Sequence, residues 1–168
     1  DKAAKALGLG YPGGPVIDRL AADGNPYAYA LPTPLSATNE IEFSFSGLKT
    51  AVMMLIEKER SSEKVLPFRD ICASFQRSVV DSLLAKVKLA VKKTGVKRLT
   101  VSGGVAANSG LREALSKYAA VQKIELYLPP RAMCTDNAVM IAAAGYSAYM
   151  RGERSDLKLS PNPSWSIW

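Results

Sequence analysis

Between Arg98 and Leu128 the chain runs through an apolar segment, a pair of glycines, a helical pattern and a second apolar segment, and that order leaves few folds open. The run Arg98-Leu99-Thr100-Val101 empties into SGGVAAN at residues 102–108, a helix is predicted from Ser109 to Ala119, and a strand at Ile124–Leu128 is closed by Pro129 and Pro130. Two strands joined by a helix return in parallel, because an antiparallel return needs only a tight turn whereas a parallel one needs a crossover. The chain is therefore predicted to be α/β, with strands at 98–102 and 124–128. Gly103 and Gly104 carry no Cβ, so the backbone there can approach a ligand closely, and the N–H groups of the following helix would face a bound anion. A nucleotide or phosphate suits such a turn. A tight connection that lets strand and helix pack is the plainer reading of the same residues.

The other segments are mostly helical. A short helix at Asp1–Leu7 is broken by Gly8 and Gly10; Pro12 to Pro15 form a rigid turn, and Val16, Ile17 and Leu20 give a second helical face. Residues 23–39, rich in Asn, Pro, Ser and Thr, are predicted to be a surface loop without a core of its own. Phe43 and Phe45 alternate like an irregular strand before Ser46-Gly47 opens a helix carrying Leu48, Val52 and Leu55, and a polar insert spans 58–69. The longest helical pattern, Asp70–Lys93, repeats Ile71, Phe75, Val79 and Leu83 at four-residue spacing, widened by Val80, Leu84, Val87 and Val91. A last helix spans 134–150, with Thr135 as N-cap and Asp136 in a first turn that the helix dipole favours; the tail from Ser160 reads as extended.

The 168 residues are 48% hydrophobic and 22% charged, the composition of one globular domain rather than a disordered chain. No apolar run approaches the roughly 20 residues that span a bilayer, and DKAAKALGLG lacks a secretory core, so a cytoplasmic protein without membrane association is expected. Cys72 and Cys134 make no disulfide frame, which fits a reducing compartment, and Cys134 reads as a small packed side chain. The net charge of +7 suits a polyanionic partner, although Lys86, Lys88, Lys92, Lys93, Lys97 and Arg98 read equally well as the solvated face of the long helix.

DKAAKALGLGYPGGP, FSFSGLKTAV, SGGVAANSGLR and CTDNAVMIAAAG, in this order over residues 1–145, resemble the C-terminal part of the TsaD family, the tRNA threonylcarbamoyl-adenosine transferases. The resemblance implies the helix-rich C-terminal lobe of an actin-like, ribonuclease H-like ATPase fold across 1–168, its sheet incomplete without an N-terminal half that would precede Asp1. It implies transfer of threonylcarbamoyl from threonylcarbamoyl-AMP to N6 of adenosine 37 in tRNAs reading codons that start with A, with release of AMP. By position, it assigns Asp1, Gly14, Asp18 and Asn108 to the adenylate and Asp136 to a divalent metal, iron or zinc; Gly103 and Gly104 join the adenylate candidates through the backbone of their turn. Lys49 is a candidate for a phosphate or tRNA contact.

Taken without the resemblance, Asn108 reads as an N-cap, Asp18 equally as a surface charge or as an acceptor for hydroxyls, and Gly14 as a turn residue. The family's remaining metal ligands are histidines, and this chain contains none, so 1–168 reads as part of a longer protein and is expected to be inactive alone. The implied partners are tRNA, the adenylate or ATP, the missing half, TsaB- and TsaE-type helper proteins and, as an alternative, a second copy. An actin-like small-molecule kinase and a noncatalytic scaffold subunit of a tRNA-modifying complex are the competing readings. A metalloprotease would need more ligands than one aspartate.

Overall fold

The computed structural model describes residues 1–35, 38–62 and 65–164, which leaves the end of the expected extended tail outside the described residues. It divides into two compact units, Asp1–Cys134 and Thr135–Trp168.

Four helices open the first unit: α1 (Lys2–Ala6), α2 (Gly13–Ala21), α3 (Ser46–Arg60) and α4 (Phe68–Thr94). Ala4, Ile17, Leu48, Val52, Ile56, Ile71 and Cys72 form their shared core. The predicted strand–helix–strand unit follows as β1 (Arg98–Thr100), α5 (Ser109–Gln122) and β2 (Glu125–Tyr127). β1 and β2 pair in parallel with Leu99 opposite Leu126, and among the described residues they form a two-stranded sheet. With 27 residues, α4 is about 40 Å long and serves two cores. Ile71 to Ala73 face the first three helices, while Val80 packs with Leu111 and Leu115 of α5. The helix stops at Gly95, whose φ of 68° is left-handed and whose N–H closes on the Val91 carbonyl.

Several expectations change. The PGGP segment is no turn: Gly13, Gly14 and Pro15 form the first turn of α2, where a proline has no intrahelical N–H to lose. Phe43–Phe45 is not a strand; Phe43 is exposed and Phe45 is the N-cap position preceding α3. The insert at 58–69 shrinks because α3 runs to Arg60 and α4 starts at Phe68.

Within the stretch 23–39 expected to be a surface loop, the described residues are not free of the core. Tyr29 and Leu31 pack on the core, and the segment is strapped along α4 through its backbone. Ser74, Ser78, Ser82 and Lys86 recur every four residues on one face of α4, each no more than 1% exposed. Ser74 Oγ donates to the Asn25 carbonyl at 3.4 Å, Ser78 Oγ to that of Pro32 and Ser82 Oγ to that of Pro34 at 2.8 Å. Lys86 Nζ donates to the Thr38 carbonyl at 3.0 Å, to Thr38 Oγ1 at 2.7 Å and to the Glu40 carbonyl at 2.7 Å. Prolines lack N–H groups, so this segment is rich in acceptors, and four-residue spacing stacks one donor above another on the helix. Lys86 thus leaves the solvated face on which the sequence placed it.

Cys72 is fully buried, and burial pushes its thiol up from an ordinary value of 9.0 to about 11. The unfolded thiol ionises first, so this group lowers stability as pH rises from 9 towards 11, by about 1.4 kcal/mol per pH unit at most. Cys134 is also buried, as expected of a packed side chain. Neither cysteine is expected to react with a disulfide reagent at pH 8 until denaturant is added; stoichiometric labelling of the native protein within minutes would contradict this burial.

In the second unit, α6 (Ala138–Met150) starts later than predicted. Asn137, not Thr135, is its cap, its side chain accepting from Met140 N at 3.0 Å, so Asp136 precedes the helix and gains nothing from a first turn. None of its residues is buried, and Ile141 is 67% exposed. In the first unit, α4 contributes to both cores, and Met53 and Met54 of α3 are exposed. Among the described residues, no helix is long and apolar enough to cross a membrane.

Candidate functional site

The glycine turn forms as a local necessity. Gly103 has φ 87° and ψ 167°, a conformation that side chains disfavour, and a Cβ there would meet open space. Gly104 starts a 3-10 turn, Gly104–Ala107, and Gly103, Gly104 and Val105 are exposed. The chain then extends at Asn108, with ψ 129°, before α5 begins.

Asn108 uses both amide donors and one lone pair of its oxygen. Its Oδ1 accepts from Leu111 N at 2.9 Å, capping α5, while its Nδ2 donates to Asp18 Oδ1 at 3.0 Å and to Gln76 Oε1 at 2.8 Å. The N-cap read from the sequence is present, and the amide nitrogen in addition ties α5 to α2 and α4. Asp18 is no surface charge. Its Oδ1 also accepts from Ser109 Oγ at 2.6 Å, and Ser109 N reaches both carboxylate oxygens at 3.1 Å. This carboxylate occupies the N-terminus of α5, where the sequence suggested an exogenous anion. The exposed backbone left for such a group is the glycine turn itself.

Gly13 and Gly14 differ although they are adjacent. A Cβ on Gly13 would lie 2.4 Å from Ala4 Cβ, so packing against α1 requires the glycine, and its N–H donates to Asp1 Oδ1 at 2.9 Å. At Gly14 a Cβ would meet nothing within 4 Å, and the residue sits in a helix rather than a turn. Turn geometry therefore does not account for Gly14, which lies one turn before Asp18 on the same helix.

Not every candidate joins this cluster. Lys49 is exposed on the first turn of α3, and no hydrogen bond or ion pair ties it to Asp18 or Asn108 among the described residues. Asp136 belongs to the second unit and is exposed. Among the described residues no group of three His, Cys, Asp or Glu could hold a metal ion, so Asp136 offers one ligand and the residues present do not fit a complete metal site.

Gln76 and Ser109 escaped the sequence reading. Gln76 lies in line with Cys72, Val80 and Leu84 at four-residue spacing, and an amide inside an apolar line was the available signal. Ser109 gave none, because its partner lies 91 residues away.

The family model described as TsaD, tRNA N6-adenosine threonylcarbamoyltransferase, matches residues 1–143. Proteins of that description are similar to this chain along nearly all of it. The one from Trichlorobacter lovleyi is 46% identical over 167 residues, covering 99% of this chain and 49% of the relative. That from Dictyoglomus turgidum is 47% identical over 163 residues, covering 97% and 48%. That from Thermosipho africanus is 46% identical over 167 residues, covering 99% and 50%. The chain thus spans about half the length of the curated relatives it matches. With a family-model match over residues 1–143 and relatives of 46–47% identity along nearly all of it, the chain belongs to the TsaD family.

Proposed function

We propose that this chain supplies one wall of a threonylcarbamoyl-adenylate site, and that the intact protein transfers the threonylcarbamoyl group to N6 of adenosine 37 in tRNAs reading codons that begin with A, releasing AMP. The observation that carries the reading is the junction of Asp18 and Asn108, 90 residues apart in sequence, into one hydrogen-bonded cluster that also holds the start of α5, the helix following the exposed Gly103 turn. Asp18 Oδ2 and the second lone pair of Asn108 Oδ1 accept from ribose hydroxyls, and the exposed backbone at Gly103 and Gly104 approaches the phosphate. Asp1 holds the start of α2 so that the bare backbone of Gly14 lies against the nucleotide.

The acceptor amine is a weak nucleophile, because its lone pair is delocalised into the purine, so catalysis rests on orientation and on fixed dipoles near the carbonyl. Both cysteines are buried, which favours direct transfer over an acyl-enzyme on sulfur. The family's actin-like lobe, its adenylate or ATP, and TsaB- and TsaE-type helpers in the cytoplasm belong to the same proposal. So does a second copy as partner. So does a divalent iron or zinc with Asp136 as one ligand and the others outside this chain. The net charge of +7 favours tRNA over a small neutral substrate, with Lys49 contacting its backbone.

Gly14→Ala tests the site. In the intact protein it is expected to raise stability by about 0.5–1 kcal/mol, since alanine favours the helix, while weakening AMP binding by about tenfold through the added methyl. Urea unfolding and calorimetric titration read the two signs separately. Unchanged affinity removes Gly14 from the site, and failure of the intact protein with its helpers to bind AMP or the adenylate at millimolar concentration removes the proposed function.

A further inference from the structure

We infer that Gln76 is a specificity-determining positioning residue that makes the ligand-facing side of Asn108 and Asp18 an acceptor-only surface. The inference rests on the proposed adenylate site and goes beyond it by naming what gives that site its preference for hydroxyl donors.

An asparagine amide has two N–H donors and one carbonyl oxygen with two lone pairs. At Asn108 one donor is taken by Asp18 Oδ1 at 3.0 Å and the other by Gln76 Oε1 at 2.8 Å. Leu111 N takes one lone pair of Oδ1 at 2.9 Å. What remains is the second lone pair of that oxygen, beside Asp18, whose Oδ2 accepts only the shared Ser109 N–H among the described residues. A ligand group that meets these two oxygens must donate. Two neighbouring hydroxyls satisfy both oxygens, whereas a carbonyl or phosphate oxygen meets only lone pairs.

Gln76 is the member of the cluster with no other evident task. Asp18 holds Ser109 and Asn108 caps α5, but Gln76 extends from α4, and its side chain bonds to Asn108. Room is kept for it: a Cβ on Gly110 would stand 2.9 Å from Gln76 Nε2. Without the glutamine oxygen, Asn108 has a free donor and a looser amide plane, and the surface ceases to be acceptor-only.

The experiment compares AMP with 2′,3′-dideoxy-AMP by calorimetric titration on the intact protein. Wild type is expected to bind AMP at least about tenfold more tightly than the dideoxy compound. Gln76→Leu, or Gln76→Met if the leucine variant does not fold, is expected to bring that ratio below about threefold, mainly by weakening AMP. Gln76→Glu keeps an acceptor oxygen and should keep the wild-type ratio. In an Asn108→Ser background, which retains a helix cap but has no second amide donor, Gln76→Leu should change nothing further. Discrimination that survives Gln76→Leu, or an equal loss for both ligands, overturns the inference alone. Absence of discrimination in the wild type overturns it together with the site on which it rests.

Discussion

Asp18→Ala is expected to lower tRNA modification by the intact protein at least about a hundredfold and to destabilise the fold by about 2–4 kcal/mol. Both effects have one origin. The carboxylate gathers the Asn108 amide, the Ser109 hydroxyl and the first N–H of α5, and it joins α2 to α5 across 90 residues of chain. Its removal strands three donors in a half-buried position, and hydrogen bonds to a charged acceptor are about twice as strong as neutral ones. It also removes the oxygen offered to ribose. Asp18→Asn separates the contributions: the side chain keeps its size but loses its charge, so stability should fall by about 1–2 kcal/mol while modification remains strongly impaired. Nucleoside analysis of the tRNA product and urea unfolding measure the two quantities. A modification rate within threefold of wild type for Asp18→Ala would show that the cluster is only a structural tie.

Lys86→Ala is expected to cost about 3–5 kcal/mol of stability, a loss more usual for a large apolar core residue than for a lysine. The side chain is 1% exposed, and its ammonium is held by three neutral oxygens of Thr38 and Glu40. Truncation removes a buried four-carbon stem and leaves those oxygens without their donor. Lys86→Met keeps most of the volume and should lose less, about 1–3 kcal/mol, which measures the polar part. Hydrogen exchange should quicken in both variants at Thr38 to Ile41 and little at α5. An unchanged urea midpoint for Lys86→Ala would mean that the strap contributes nothing to the fold.

Patterns within one helix or one strand–helix–strand unit were legible in the sequence. The four-residue repeat from Ile71 to Leu83 marked α4, and the order strand, glycine pair, helix, strand marked a parallel crossover. What was not legible depends on partners far along the chain. A serine every four residues on α4 reads as an interruption of an apolar stripe until the carbonyls of Pro32 and Pro34 lie opposite. Lys86 belongs by composition to a basic helix face, and only the fold buries it. The start of α6 was misplaced because Thr135 and Asn137 are both competent caps, and the choice fell to Asn137, with Met140 N at the right distance. In the candidate site, motif residues were recognisable but their wiring was not, and Gln76 was hidden within an apolar line.

Apart from the Thr38 hydroxyl, the grip of Ser74, Ser78, Ser82 and Lys86 on the strap falls on peptide oxygens, which every amino acid carries. Point changes to outward side chains there should be tolerated. Deleting or inserting one residue between Pro32 and Thr38 would instead put the oxygens out of phase with donors repeating once per helical turn. Evolutionary drift in this stretch should therefore appear as altered letters at constant length.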